Sequence, residues 1–153
     1  MHYTDYSYNN GRLIAKEKSA SEDIEEAIEK LDIEFGTSGD FGDYFRAELK
    51  DRGWSYKGTV IPELTIRYGF RKNQLGVETQ FSNVARFYSD IFKLQLSYNR
   101  DKIDAGVLIL PTKQHANQIG SNLANFERAE EELVQSRPMY SVPLWIIGIK
   151  MKI

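Results

Sequence analysis

Cysteine is absent from the 153 residues, which removes disulfides, zinc ribbons and thiolate catalysis together. Histidine is scarce. His2 and His115 are the two imidazoles, too few for a histidine-rich metal site and a poor basis for a Ser-His-Asp triad. Neither sign of charge dominates: Lys and Arg number 20 against 22 Asp and Glu, a formal net charge of −2. Bulk electrostatics therefore gives no pointer to nucleic acid, although a binder can still gather its cations on one face. No apolar run approaches the ~20 residues of a membrane span. The N-terminal Met-His-Tyr-Thr-Asp-Tyr-Ser-Tyr lacks the charged and apolar regions of a secretory signal, so a cytoplasmic protein is the expectation. Repeats, low-complexity runs and linkers are missing too, and residues 1–153 are expected to form one domain.

What is present suits a normal core: 41% of residues are apolar and 12% aromatic, a globular composition. Ser19-Ala-Ser-Glu22 has capping-box spacing, and Ile24, Ala27, Ile28 and Leu31 follow at helical intervals. Glu22, Asp23, Glu25, Glu26 and Glu29 then form a solvated acidic face that should point away from any anionic partner. A second helix is expected to begin near Asp40, carry Phe41, Tyr44, Phe45 and Leu49 inward, and end at a Gly53 cap. The pattern next turns extended: a strand over 59–70, a polar turn at 71–74 and a return strand over 75–81. From Asn83 the period is helical again, with Val84, Phe87, Tyr88, Ile91 and Phe92 as its stripe. Residues 106–110 read as a strand covered on both faces and ended by Pro111. Residues 121–135 read as an amphipathic helix, and 143–149 as a last buried strand. This order predicts an α/β protein with a mixed central β-sheet flanked by helices.

The chemistry is concentrated at Glu78 and Gln80. Side chains at i and i+2 of a strand share a face, and a carboxylate beside a carboxamide can serve one Mg²⁺ and one water. On spacing alone, such a pair is more commonly the wet side of an edge strand. The surrounding text adds to it: Glu-x-Gln, then Phe81-Ser-Asn83, a Tyr-Ser-Asp-Ile-Phe helix, Ile-Asp-x-Gly-Val, Pro-x-Lys and a final Val-Pro-Leu-x-Ile-Ile-Gly-Ile. This ordered series, over roughly residues 53–149, resembles the BglII-type restriction endonucleases, a branch of the PD-(D/E)XK nuclease superfamily. The resemblance implies a restriction-endonuclease-like core and Mg²⁺-dependent hydrolysis of phosphodiester bonds in duplex DNA. It also implies a homodimer, a palindromic site with a GATC core and a place in restriction-modification. Residue by residue, it implies that Glu78 binds the metal, that the Thr79 carbonyl is a second ligand and that Gln80 helps position the attacking water. Ser82 and Asn83 would enter the DNA groove, Asn83 as a base reader.

One position departs from the family. The resemblance places an aspartate nine positions before the glutamate, and Gly69 stands there. Loss of one of two carboxylates weakens divalent-cation binding. Three explanations stand open: an inactive form, Glu63 as substitute ligand in a Pro62-Glu63 motif, or a shift that brings another acid in. Glu63 has the parity of position 69 but lies roughly 20 Å along an extended strand, so the simple loss is favoured. The alternatives to an enzyme are a catalytically inert DNA-binding protein of the same fold and a small α/β scaffold whose hairpin is merely structural. Lys113 is a candidate phosphate contact. Asp104 reads as a strand-start residue, His115 as a surface residue, Glu127, Glu130, Glu131 and Glu132 as solvated, and Trp54 and Trp145 as core.

Overall fold

The computed structural model describes residues 2–32 and 37–150. Its centre is a six-stranded mixed sheet of order β1-β8-β7-β6-β5-β2. The strands are β1 (Tyr3–Tyr8), β2 (Ser55–Tyr56), β5 (Phe70–Lys72), β6 (Leu75–Thr79), β7 (Ala105–Pro111) and β8 (Leu144–Ile149). The β6–β7 and β7–β8 pairs are parallel, and β1–β8, β5–β6 and β2–β5 are antiparallel. Helices α1 (Gly11–Lys16), α2 (Ser21–Lys30), α3 (Ser38–Asp51), α4 (Val84–Asn99), α5 (Lys113–Ile119) and α6 (Phe126–Gln135) accompany it. The predicted α/β class with a mixed central sheet is what the chain adopts.

The two faces of the sheet are read directly from alternation along its inner strands. Val107, Ile109, Trp145, Ile147 and Ile149 join one core with Ile24, Phe41, Phe45 and Leu49 of α2 and α3. Leu108, Leu110, Leu144 and Ile146 join another with Phe87, Ile91 and Leu94 of α4 and Leu133 of α6. A strand covered on both faces must be apolar at every position, which is why β7 and β8 lack polar residues. Trp54 and Trp145 are buried as expected, each donating its indole N–H to an aspartate, Asp23 and Asp5 respectively.

Several local expectations are corrected. The strand expected over 59–70 is broken. Thr59–Ile61 (β3) pairs with Ile66–Arg67 (β4) in a separate two-stranded ribbon around a 3₁₀ turn at Pro62–Leu64. Pro62 has no N–H for a ladder, and Thr65 takes a left-handed φ of 53°. The hairpin turn is confined to Asn73 and Gln74, both at positive φ. Helix α2 begins at Ser21 without a side-chain cap, so Ser19 and Glu22 form no capping box; the box occurs instead at Thr37 and Asp40, opening α3. Gly53 does end α3, at φ 86°, with the Gly53 and Trp54 amides donating to Lys50 and Leu49, a Schellman closure. The helix expected over 121–135 starts at Phe126, capped by Asn125. Strands β1 and β2 and helices α1 and α5 have no counterpart in the sequence expectations. No described helix is long and apolar enough to cross a membrane.

Candidate functional site

Parity places the site. In β6, Leu75 and Val77 enter the α2/α3 core, so Gly76 and Glu78 face α4. A Cβ on Gly76 would meet Leu94 of that helix at 3.2 Å. Gln80 follows the strand, its N–H extending the ladder to the Ile109 carbonyl, and shares the parity of Glu78. Gly69 and Arg71 face the same way; Arg71 donates to Ser97 of α4. The expected pair thus lies between sheet and α4, and it is buried: Glu78 is 5% and Gln80 4% exposed. The reading of these residues as the wet side of an edge strand is excluded.

A third polar side chain meets them there. Asp90 of α4 is 7% exposed and accepts a hydrogen bond from Gln80 Nε2 at 2.5 Å. The other end of the Gln80 amide accepts from the Ser82 backbone N–H at 2.9 Å and from the Ser82 hydroxyl. A backbone N–H only donates, so that atom of Gln80 must be the oxygen, and the amide is oriented with its NH₂ toward Asp90. Gly69 N–H donates to Glu78 Oε1 at 3.0 Å. Lys93, one turn beyond Asp90, holds its ammonium 4.0 Å from Glu78 Oε1 and 4.0 Å from Asp90 Oδ1. Burial, and then repulsion from Asp90, pushes the Glu78 carboxyl up to about 8, opposed by Lys93, the Gly69 amide and Arg71. Burial likewise raises Asp90 to about 6, opposed first by the Gln80 amide. Two acids thus share a buried position at which burial opposes both charges, and at Glu78 the neighbouring Asp90 adds repulsion.

Above the pair opens a cleft of about 600 Å³ floored by Glu78, Thr79, Gln80 and Asp90. Arg46, Lys57, Arg67, Arg86 and Lys93 also line it. Five cations against two carboxylates give this cleft a sign that the chain as a whole lacks. Around the Tyr56 ring, on its wall, Arg46, Lys50 and Lys57 stand at 5.4, 5.5 and 5.4 Å, and Arg46 also donates to the Tyr56 hydroxyl. The acidic residues of α2 do not line the cleft.

The other sequence candidates are distributed differently. Ser82 lines the cleft and orients Gln80. Asn83 is exposed and caps α4, its side-chain oxygen accepting the Arg86 N–H at 3.2 Å. Glu63 is exposed on the 3₁₀ turn and lines no part of the cleft, so the structure does not bring it to Glu78. Lys113 opens α5, its backbone N–H bonded to Glu127, beside a different hollow that also contains Glu131 and Glu132. Asp104 precedes β7, as expected, and pairs with Lys18 at 2.6 Å. His115, expected at the surface, is 2% exposed; it packs edge-on against Phe41 and bonds the Ile149 carbonyl through Nδ1.

Asp90 is the residue that the sequence reading missed. Its signal was an acid within the apolar stripe of α4, three residues after Phe87 and four before Leu94. At that spacing a residue points inward, and a buried carboxylate needs a partner.

A sheet with buried acids at the C-terminal end of β6, under a cation-lined cleft, defines the class: a restriction-endonuclease-like α/β protein. The chain belongs to the family described as Restriction endonuclease BglII/BglIII, whose model matches residues 3–149. Among solved structures it is similar to restriction endonuclease BglII complexed with a DNA 16-mer, with TM-score 0.87, 16% identity and coverage of 97% of this chain and 78% of that one. It is also similar to free BglII, with TM-score 0.77, 20% identity and coverage of 97% and 79%. A comparison with curated protein sequences finds no match.

Proposed function

We propose that this chain, acting as one nuclease-like domain, binds duplex DNA in the cleft and hydrolyses its phosphodiester bonds with a divalent cation, Mg²⁺ in the cell. The observation that carries this reading is the juxtaposition of cationic walls with a floor of buried acids in a member of a restriction endonuclease family. Arg46, Lys57, Arg67 and Arg86 suit the phosphate backbone, where most protein–DNA contacts fall. Family membership supports the further reading of a homodimer on a palindrome, with restriction as its biological setting. In its favour, Tyr88 and Phe92 on α4 and Met139 are exposed large apolar residues, and Tyr88 and Met139 line one apolar hollow that a second copy would cover. Sedimentation at several concentrations tests it.

The residues fit a hard cation. Glu78, Asp90 and the Thr79 carbonyl are oxygen donors, the two acids stand beside one cleft, and Glu78 Oε2 receives no donor among the described residues. Among the described residues no group of three or more acidic, His or Cys side chains converges, so two carboxylates must suffice with backbone oxygen and water. When bound, the cation would polarise a phosphate oxygen and lower the pKa of a coordinated water. Glu78 would hold it, Gln80 would keep its amide fixed between Ser82 and Asp90, and Lys93 would place a positive charge beside the scissile phosphate. A nicking assay with Mg²⁺ tests hydrolysis, and a gel shift in Ca²⁺ tests binding. Binding without nicking would select the inert DNA-binding reading that Gly69 favours; neither activity would leave the scaffold reading.

A further inference from the structure

We propose that Asp90, carried on helix α4, is the second carboxylate of the cation site and takes the part that no side chain at position 69 can play. The proposal rests on the cation-dependent reading above. Its geometry is specific. Asp90 and Glu78 approach from different elements, a helix and a strand, and both are buried beside the same cleft. One ammonium, Lys93 Nζ, lies 4.0 Å from an oxygen of each, so the two acids already enclose a position of positive potential demand. At 4.0 Å the ammonium is beyond hydrogen-bond length of both, so Glu78 keeps the bond from the Gly69 amide and Asp90 the bond from Gln80, and neither is bonded to Lys93. Lys93 is itself partly exposed, and its flexible stem can yield to an arriving cation.

Position 69 is crowded by its neighbours. A Cβ on Gly69 would lie 2.1 Å from Glu78 Oε2 and 2.8 Å from the Val77 carbonyl. Glu78 accepts the Gly69 N–H through Oε1, and its Oε2 stands where the side chain of an aspartate would begin. The carboxylate missing from the strand is matched by one that the helix supplies, and Gln80 orients it through the 2.5 Å bond to Oδ2. Glu63, on its exposed turn, has no comparable relation to Glu78.

The test is cation binding read by stability, independent of cleavage. Melting temperature of the full chain is measured in EDTA and then through a Ca²⁺ titration, for the unmodified protein and for Asp90→Asn, Glu78→Gln and Glu63→Gln. Because a ligand that binds the folded state raises its stability, the unmodified protein should gain with Ca²⁺. Asp90→Asn and Glu78→Gln should each lose about 10–100-fold or more in apparent Ca²⁺ affinity, since loss of even an outer partner of a metal ligand costs that much. Glu63→Gln should keep the full response. Asparagine preserves an acceptor for Gln80 and removes a buried charge, so Asp90→Asn should melt no lower than the unmodified chain in EDTA. An unchanged Ca²⁺ response in Asp90→Asn, with the Glu78→Gln response lost, overturns the proposal and leaves the nuclease reading intact. No Ca²⁺ response in the unmodified protein overturns both.

Discussion

Glu78 is the residue on which the reading turns, and its environment makes two opposite effects measurable. Its carboxyl is costly to ionise where it stands, because burial and Asp90 both oppose the charge. Glu78→Gln should therefore abolish Mg²⁺-dependent nicking while raising the melting temperature in EDTA. Retained nicking at an unchanged rate removes Glu78 from the mechanism. Gly69 is the second residue of interest. From sequence alone, Gly69→Asp is expected to restore a lost ligand and create cutting. The geometry argues for a different outcome, because the added Cβ would stand 2.8 Å from the Val77 carbonyl and force Glu78 Oε2, at 2.1 Å, to move. Gly69→Asp should cost about 1–3 kcal/mol through overpacking, seen as a lower melting temperature in EDTA, with no gain in nicking. A gain would return the site to the simpler account of a lost aspartate.

At the scale of elements, α4 does three things at once. Its apolar face closes one core, Asp90 and Lys93 line the cleft beside Glu78, and its N-terminus is set by Asn83. The cap and a role in base reading predict different outcomes. Asn83→Ala should lose about 0.5–2 kcal/mol with the cap and weaken all binding modestly. Asn83→Ser keeps a capping oxygen but loses the amide. If Asn83 reads a base, Asn83→Ser should retain stability and lose about 1–3 kcal/mol of discrimination between cognate and random duplex, measured by competition gel shift. Equal affinity ratios in Asn83→Ser and the unmodified protein confine Asn83 to capping.

For the whole molecule, His115 ties α5 to Phe41 of α3 and to the end of β8. Burial lowers its pKa below the ordinary 6.5, so the unfolded chain takes up a proton at a pH where the folded chain does not. Unfolding then binds protons, and stability rises with pH across that interval. The contribution is complete above about pH 6.5 and is progressively lost below it. His115→Gln, which cannot charge, should show a shallower loss of denaturant midpoint between about pH 7 and 5 than the unmodified protein. Identical slopes would show that His115 does not couple folding to protons.

Alternation, helical period and cap signals were sufficient, by themselves, to determine β7 as a doubly covered strand, β8 as a buried one, the hairpin into β6, the Gly53 terminus of α3 and the start of α4 at Asn83. These are local properties, set by residue spacing and backbone sterics. The same parity put Glu78 and Gln80 on one face. The ordered motifs carried the family resemblance that the match over residues 3–149 supports. What surrounds that face was decided in three dimensions. The break of 59–70 into a ribbon takes Glu63 out of reach, and the packing of α4 on β6 brings Asp90 to Glu78. Folding also collects Arg46, Lys57, Arg67, Arg86 and Lys93 around one cleft in a chain whose net charge is −2. A linear sequence records which charges exist and where they lie along the chain. Their mutual distances, on which Coulomb energy and ligand geometry depend, come from how sheet and helix pack.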